Sequence, residues 1–469
     1  MRLSHNYLFI LLVFISPFGF CSSLSYPVPC PADLKIQIND KLSCGYITVD
    51  ERHELKNGRQ IKIFFINAKS TNKIFRSDPV FYLAGGPGVA PSRFLPALLQ
   101  EIKFLRKDRD VILIDQRGTG YSQPNLLCNF RSPMYPLFTT ENGIRTILKE
   151  CKKRYESEHM DISAYNTLED AQDIIALVKA LNYPGWNMMG TSNGTVLALA
   201  ISQFNPKGLR SIVIGAALSL NHFNINDIAI GISNGYKDFF KWSNNNLACQ
   251  NKYPDLRKHF IEVVESLPKT INEPNKLYLT GEMVIRINSG YVMSDANQKI
   301  QAAELIEQMY GKYKKGLLNL NEFKRIYGIK DRVTDLGAMK VITCYDDQNK
   351  NIAKWQLKQI KSANKHYPYY YVSSNYYGLN SIDCQILGNG DALSSLRKDL
   401  ITSVPVLILH GQNDTIPLYL NKDLEKSLVK AKVFEIDNVG HNVLSASICS
   451  HSLIEQFFSN PNVWPIKKC

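Results

Sequence analysis

The sequence predicts a mostly parallel, doubly wound α/β sheet interrupted by an inserted, mainly helical lid. Three observations carry this reading. Short apolar runs alternate with helical patterns between Pro79 and Gly215, the rhythm of βαβ units. The rhythm breaks from about Asn221 to Arg397, a stretch rich in Asn, Tyr and Lys. It resumes at Val404–Leu409, and Lys432–Ile436 reads as the last strand. The 469 residues, 45% of them hydrophobic and 21% charged, have an ordinary globular composition with length for two or three domains. Residues 1–23 read as a signal peptide, 24–220 as the first part of the core, 221–398 as the lid and 399–469 as the second part of the core.

The first element is the leader. Arg2 and His5 precede an apolar run from Tyr7 to Ile15, followed by the small residues Cys21-Ser22-Ser23, with cleavage expected after Ser23. The run is too short to span a bilayer, so the expectation is a secreted or periplasmic protein without stable membrane insertion. Gly45–Asp50 and Ile61–Asn67 are β-rich runs, and Asn57-Gly58 between them signals a hairpin. Pro79–Leu83 is a buried-strand pattern running into Gly85-Gly86-Pro87-Gly88. Val111–Asp115 is another, ending in Gln116-Arg117-Gly118-Thr119-Gly120-Tyr121-Ser122, whose polar residues fit loop support better than substrate binding. Thr167–Asn182 has helical periodicity, with Thr167 as N-cap. Ser211–Gly215 is the next strand, and a terminal helix covers about His451 to Phe458. The lid aromatics, such as Tyr367–Tyr371 and Tyr376-Tyr377, fit lid core or a pocket lining.

The site reading centres on Gly190-Thr191-Ser192-Asn193-Gly194. An apolar run precedes it and a helical pattern follows it, which places Ser192 on a sharp strand-to-helix turn. Serine is a weak nucleophile at neutral pH and needs a base, itself oriented by an acid. His441 and Asp414 each follow an apolar strand, and the order Ser192, Asp414, His441 is the one such sheets use. Asp437 is a rival acid, but it sits in the loop of His441 itself. His410 fits a core histidine. The backbone N–H groups of Asn193 and Gly86 are the candidate oxyanion donors. No cluster has metal-ligand spacing and no motif calls for a cofactor, so none is expected.

Export makes disulfides the natural use of the cysteines. Sequence proximity suggests Cys30–Cys44, Cys128–Cys151 and Cys449–Cys469, with a fourth bridge among Cys249, Cys344 and Cys384. The net charge of +13 is scattered, which reads as a solvated basic surface and not a nucleic-acid site. Nothing in the pattern speaks to oligomeric state.

Gly85-Gly86-Pro87-Gly88, Asp115–Ser122, the Ser192 elbow, Gly411-x-x-Asp414-x-x-Pro417 and Gly440-His441 together resemble the prolyl and tripeptidyl aminopeptidase group of α/β-hydrolases. The resemblance runs from about Cys44 to Cys469 and omits most of the lid. The Cys449–Cys469 tail is similar to the TAP-like C-terminal region of secreted members. The resemblance implies the α/β-hydrolase fold and an exopeptidase acting on free peptide N-termini. It also implies lid carboxylates that hold the substrate amine, for which Glu282, Glu304, Glu307 and Asp383 are candidates. Asn193 and Thr195 depart from the Tyr and Gly of the common elbow, and Ala84 stands where some members have His. A carboxylic-ester hydrolase on the same scaffold is the alternative, and a non-catalytic binding protein a third. The expected partner is therefore a peptide or small ester.

Overall fold

The computed structural model describes residues 23–34, 36, 40–55, 58–128, 141–220, 225–268, 278–329, 336–346, 382–396 and 402–469. Residues 1–22 of the expected leader, His222, His366 and the aromatic runs 367–371 and 376–377 lie outside the described residues.

One sheet carries the fold. Its strands are β1 (Ser23–Val28), β2 (Leu42–Asp50), β3 (Gln60–Ala68), β4 (Val80–Leu83), β5 (Val111–Ile114), β6 (Trp186–Thr191), β7 (Leu209–Gly215), β8 (Val406–Gly411) and β9 (Ala431–Ile436). Their order is β1-β2-β3-β5-β4-β6-β7-β8-β9. β1, β2, β3 and β5 pair antiparallel, and β5, β4, β6, β7, β8 and β9 run parallel. Every residue of β4, β5 and β8 is buried, which is why these strands read as unbroken apolar runs.

Helices cover both faces. Helices α1 (Leu95–Glu101), α2 (Glu141–Ser157), α3 (Thr167–Leu181) and α4 (Asn193–Gln203) come first in the chain. Ile174, Leu177 and Val178 of α3 and Val196–Ile201 of α4 pack on one face. Leu95 and Leu98 of α1, with Leu453, Ile454 and Phe457 near the C-terminus, pack on the other. Each fully buried aliphatic side chain there contributes about 1.5–3 kcal/mol.

Between β7 and β8 the named elements are all helical. They are α5 (Ile225–Asn245), α6 (Leu247–Lys252), α7 (Leu256–Ser266), α8 (Gly281–Val292), α9 (Ala296–Lys314), α10 (Leu320–Ile326), α11 (Leu336–Asp346) and α12 (Ile382–Leu387). Helices α5 to α10 close around a core of their own, with Tyr236, Phe239, Phe260, Met283, Ile306 and Phe323 inside. Helices α11 and α12 instead pack on α2, through Val341, Leu387, Ile144 and Leu148. After β8 come α13 (Leu418–Ser427) and, after β9, α14 (Ile448–Ser459).

Some elements depart from expectation. β1 is an additional edge strand. Asn166, not Thr167, caps α3 by accepting from the Glu169 amide. The reason is tertiary: the Thr167 hydroxyl and amide both bond the Asp346 carboxylate of α11, at 2.7 Å each. The bonded cysteine pairs are Cys30–Cys44, Cys128–Cys151, Cys344–Cys384 and Cys449–Cys469, and Cys249 is a buried free thiol. Among the described residues no helix is long and apolar enough to cross a membrane.

Candidate active site

The elbow follows from packing between β4, β6 and α4. Ser192 has φ 53° and ψ −125°, a conformation that costs a side-chain-bearing residue about 1–3 kcal/mol. The surroundings hold it there. Its amide donates to the Gly215 carbonyl at 3.0 Å. Its carbonyl accepts from the Thr195 amide at 2.9 Å and the Thr195 hydroxyl at 2.6 Å. The same hydroxyl accepts from the Leu218 amide at 2.9 Å, so Thr195 ties the elbow to the loop after β7.

The flanking glycines are steric necessities. A Cβ on Gly194 would stand 2.1 Å from the Leu83 carbonyl oxygen, and one on Gly190 2.5 Å from the Gly194 oxygen. A Cβ on Gly85 would meet the Ser192 Cβ at 2.9 Å, so the glycine loop after β4 lies directly against the elbow. Gly86 has φ 117°, which only glycine adopts readily. Asn193 is the first residue of α4, so its N–H has no partner within the helix.

Asp414 and His441 meet across the loops after β8 and β9. His441 Nδ1 and Asp414 Oδ1 are 2.8 Å apart, and the Asp414 side chain is fully buried. Burial alone would raise the Asp414 pKa. The charge and hydrogen bond of His441, with the Ile416 amide at 3.0 Å, outweigh it and hold the carboxylate below its ordinary range. For His441 burial lowers the pKa, and Asp414 beside it raises it further, so the net shift is upward. This pair suits an imidazole that accepts a proton and is steadied as imidazolium. Asp437 is not the partner: it lies 3.5 Å from Lys467, on the exposed side of the loop. His410 is buried, its pKa lowered by that burial, as for a core histidine. Among the described residues no hydrogen bond joins Ser192 Oγ to His441; such bonds often form only once substrate is bound.

A cavity of about 380 Å³ adjoins His441, bounded by Gly440, Met293, Ser294 and Asp295 among others. Among the described residues, Asp295 is the one acidic side chain in its lining. It carries no signal in the sequence beyond a helix N-cap.

Two family models match the chain. A model described as alpha/beta hydrolase fold covers residues 78–247, and one described as TAP-like protein covers residues 370–467. The chain belongs to the α/β-hydrolases, with a TAP-like C-terminal region. YuaR of Escherichia coli (strain K12), a hydrolase by name only, is 22% identical over 355 residues, 69% of this chain. The match spans 66% of that relative's length. A thermophilic esterase from Thermogutta terrifontis superposes with TM-score 0.41 at 12% identity, over 87% of this chain and 97% of that one. A proline iminopeptidase from Mycobacterium smegmatis gives 0.39 at 14%, over 85% and 95%.

Within this α/β-hydrolase the Asp115–Ser122 motif is a scaffold. Asp115 accepts from the Ser92 hydroxyl at 2.6 Å, the Ser92 amide at 3.1 Å and the Tyr121 amide at 2.9 Å. Arg117 is fully buried, paired with Asp173 at 2.7 and 2.8 Å, and it donates to the Ala164 carbonyl at 2.7 Å. The four candidate amine-binding carboxylates are all engaged elsewhere. Glu282 pairs with Arg286 at 3.0 Å, Glu304 with Lys252 at 3.1 Å and Glu307 with His259 at 2.8 Å. Asp383 pairs with Lys340, both buried. None of the four lines the cavity beside His441.

Proposed function

We propose that this protein is a serine hydrolase working by acyl transfer, with Ser192 as nucleophile, His441 as general base and Asp414 as the acid that orients it. The observation that carries the reading is the Asp414–His441 hydrogen bond between the loops after β8 and β9, in the same sheet whose β6 leads into a serine held at positive φ. His441 takes the Ser192 proton as Oγ attacks an acyl carbon. The amides of Asn193 and Gly86 receive the oxyanion, and losing one such donor costs about 100- to 1000-fold. His441 then protonates the leaving group, and water, activated by the same imidazole, releases the acyl group.

The finer reading is an exported aminopeptidase that releases proline or short peptides from free N-termini. The TAP-like region supports it, as does the acidic residue beside the cavity at His441. The engaged state of Glu282, Glu304, Glu307 and Asp383 favours the second reading, an esterase, because an ester has no ammonium to hold. Purified protein and Ser192→Ala are compared on free-amine peptides, the same peptides with blocked N-termini, and short aryl esters. Cleavage confined to free-amine peptides establishes the aminopeptidase. Ester cleavage without peptide release establishes the esterase. Activity that survives Ser192→Ala defeats both.

A further inference from the structure

We propose that Asn413 is a positioning residue through which the helical insert sets the Asp414–His441 geometry, an inference that rests on the serine-hydrolase reading above. Asn413 immediately precedes Asp414 and makes contacts in three directions. Its backbone amide donates to the Val439 carbonyl in the His441 loop at 2.9 Å. Its side-chain Nδ2 donates to the Ser294 carbonyl, between α8 and α9, at 2.9 Å. Its Oδ1 accepts from Lys299 Nζ on α9 at 3.2 Å. An ammonium only donates and a carbonyl only accepts, so these two partners together fix the amide's orientation.

Lys299 is poorly suited to its place unless it is held there. It is 9% exposed, and burial lowers its pKa against the pull of Asp238 and Asp295 nearby. A buried ammonium needs acceptors, and Asn413 supplies one. Two backbone seats flank this bond. A Cβ on Gly440 would stand 1.9 Å from the Met293 oxygen, and one on Gly231 of α5 would stand 1.8 Å from the Thr415 oxygen. The insert therefore bears on residues 413, 415 and 440, each adjacent in sequence to Asp414 or His441. Moving the insert moves the acid loop and the histidine loop, and the His441 ring has to stay in line with Ser192 for proton transfer.

The test compares full-length protein with Asn413→Leu, Lys299→Met and the double variant. Active sites are counted by fluorophosphonate labelling, and kcat and KM are measured on whichever substrate the panel above identifies. Melting temperature is followed in parallel. Each single variant is expected to lower kcat per labelled site about tenfold or more, with KM within about twofold. The double variant is expected to be no slower than the slower single, since both cut the same link. Unchanged kcat per site with a lowered melting temperature would overturn the proposal, leaving Asn413 a merely structural bond. Additive losses in the double variant would also overturn it. Lys299→Met tests the link from the insert's side if Asn413→Leu does not fold. Wild-type protein that takes no label would refute the serine-hydrolase reading itself, a failure distinct from either of these.

Discussion

Replacing Gly440 by alanine puts the packing of the histidine loop to a quantitative test. The added Cβ would sit 1.9 Å from the Met293 carbonyl oxygen, whereas ordinary contact begins at 3.4 Å. The oxygen belongs to backbone and a Cβ is fixed to its own Cα, so neither can swing aside, and one loop must retreat by about 1.5 Å. Gly440 is bonded directly to His441, so the retreat is passed to the imidazole. A misplacement of about 1 Å at a reacting group costs about 100-fold in rate, or ~2.7 kcal/mol of barrier. Gly440→Ala is therefore expected to lower kcat by about that factor per fluorophosphonate-titrated site. Gly311→Ala is the control: a Cβ there meets nothing within 4 Å, and alanine is the better helix former by about 1 kcal/mol. It is expected to keep full activity with an unchanged or slightly higher melting temperature. A Gly440→Ala enzyme with wild-type kcat would refute the claim that the insert packs tightly on the histidine loop.

Asp414→Asn keeps the shape of the buried acid but removes its charge, and is expected to lower kcat by about 10⁴ with the fold intact by circular dichroism. The pH profile carries a sign. His441 must be neutral to act as base, and its pKa is raised by Asp414, so kcat/KM is expected to fall with decreasing pH through a midpoint above the ordinary imidazole value. In residual activity of Asp414→Asn only the lowering effect of burial remains, and the midpoint is expected to move to lower pH. Arg117→Met leaves Asp173 and Glu169 buried without their cation, and is expected to cost about 3–5 kcal/mol in a urea titration. Cys384→Ser opens the Cys344–Cys384 bridge, which spans 40 residues; the chain-entropy relation gives about 4 kcal/mol, read under non-reducing conditions as a lowered melting temperature.

The central sheet was legible because β4, β5, β6, β7 and β8 are buried on both faces and so appear as apolar runs. The elbow was legible because the turn at Ser192 admits only small neighbours, and glycine marks that need in sequence. Asp414 and His441 were legible by position after strands. What escaped was tertiary. β1 has half its residues exposed, so it has no apolar run to betray it. The α3 cap moved from Thr167 to Asn166 because Asp346, 179 residues away, takes the threonine. The partner of Cys344 depends on α12 folding back onto α11, which no local spacing encodes. Three of the four lid carboxylates looked available in sequence because their partners come from other helices: Lys252 and His259 stand about fifty residues before Glu304 and Glu307, and Lys340 lies on α11 while Asp383 is on α12. Asn413 was passed over for the same reason, since its partners Ser294 and Lys299 come from the insert.

The most direct test of the account is to trap the nucleophile. Purified protein is treated with a fluorophosphonate, digested, and its peptides are weighed by mass spectrometry. The account predicts one adduct, on the peptide carrying Ser192, absent in Ser192→Ala and formed far more slowly in His441→Ala. An adduct on a different serine, or labelling of Ser192 that is indifferent to His441, would contradict it.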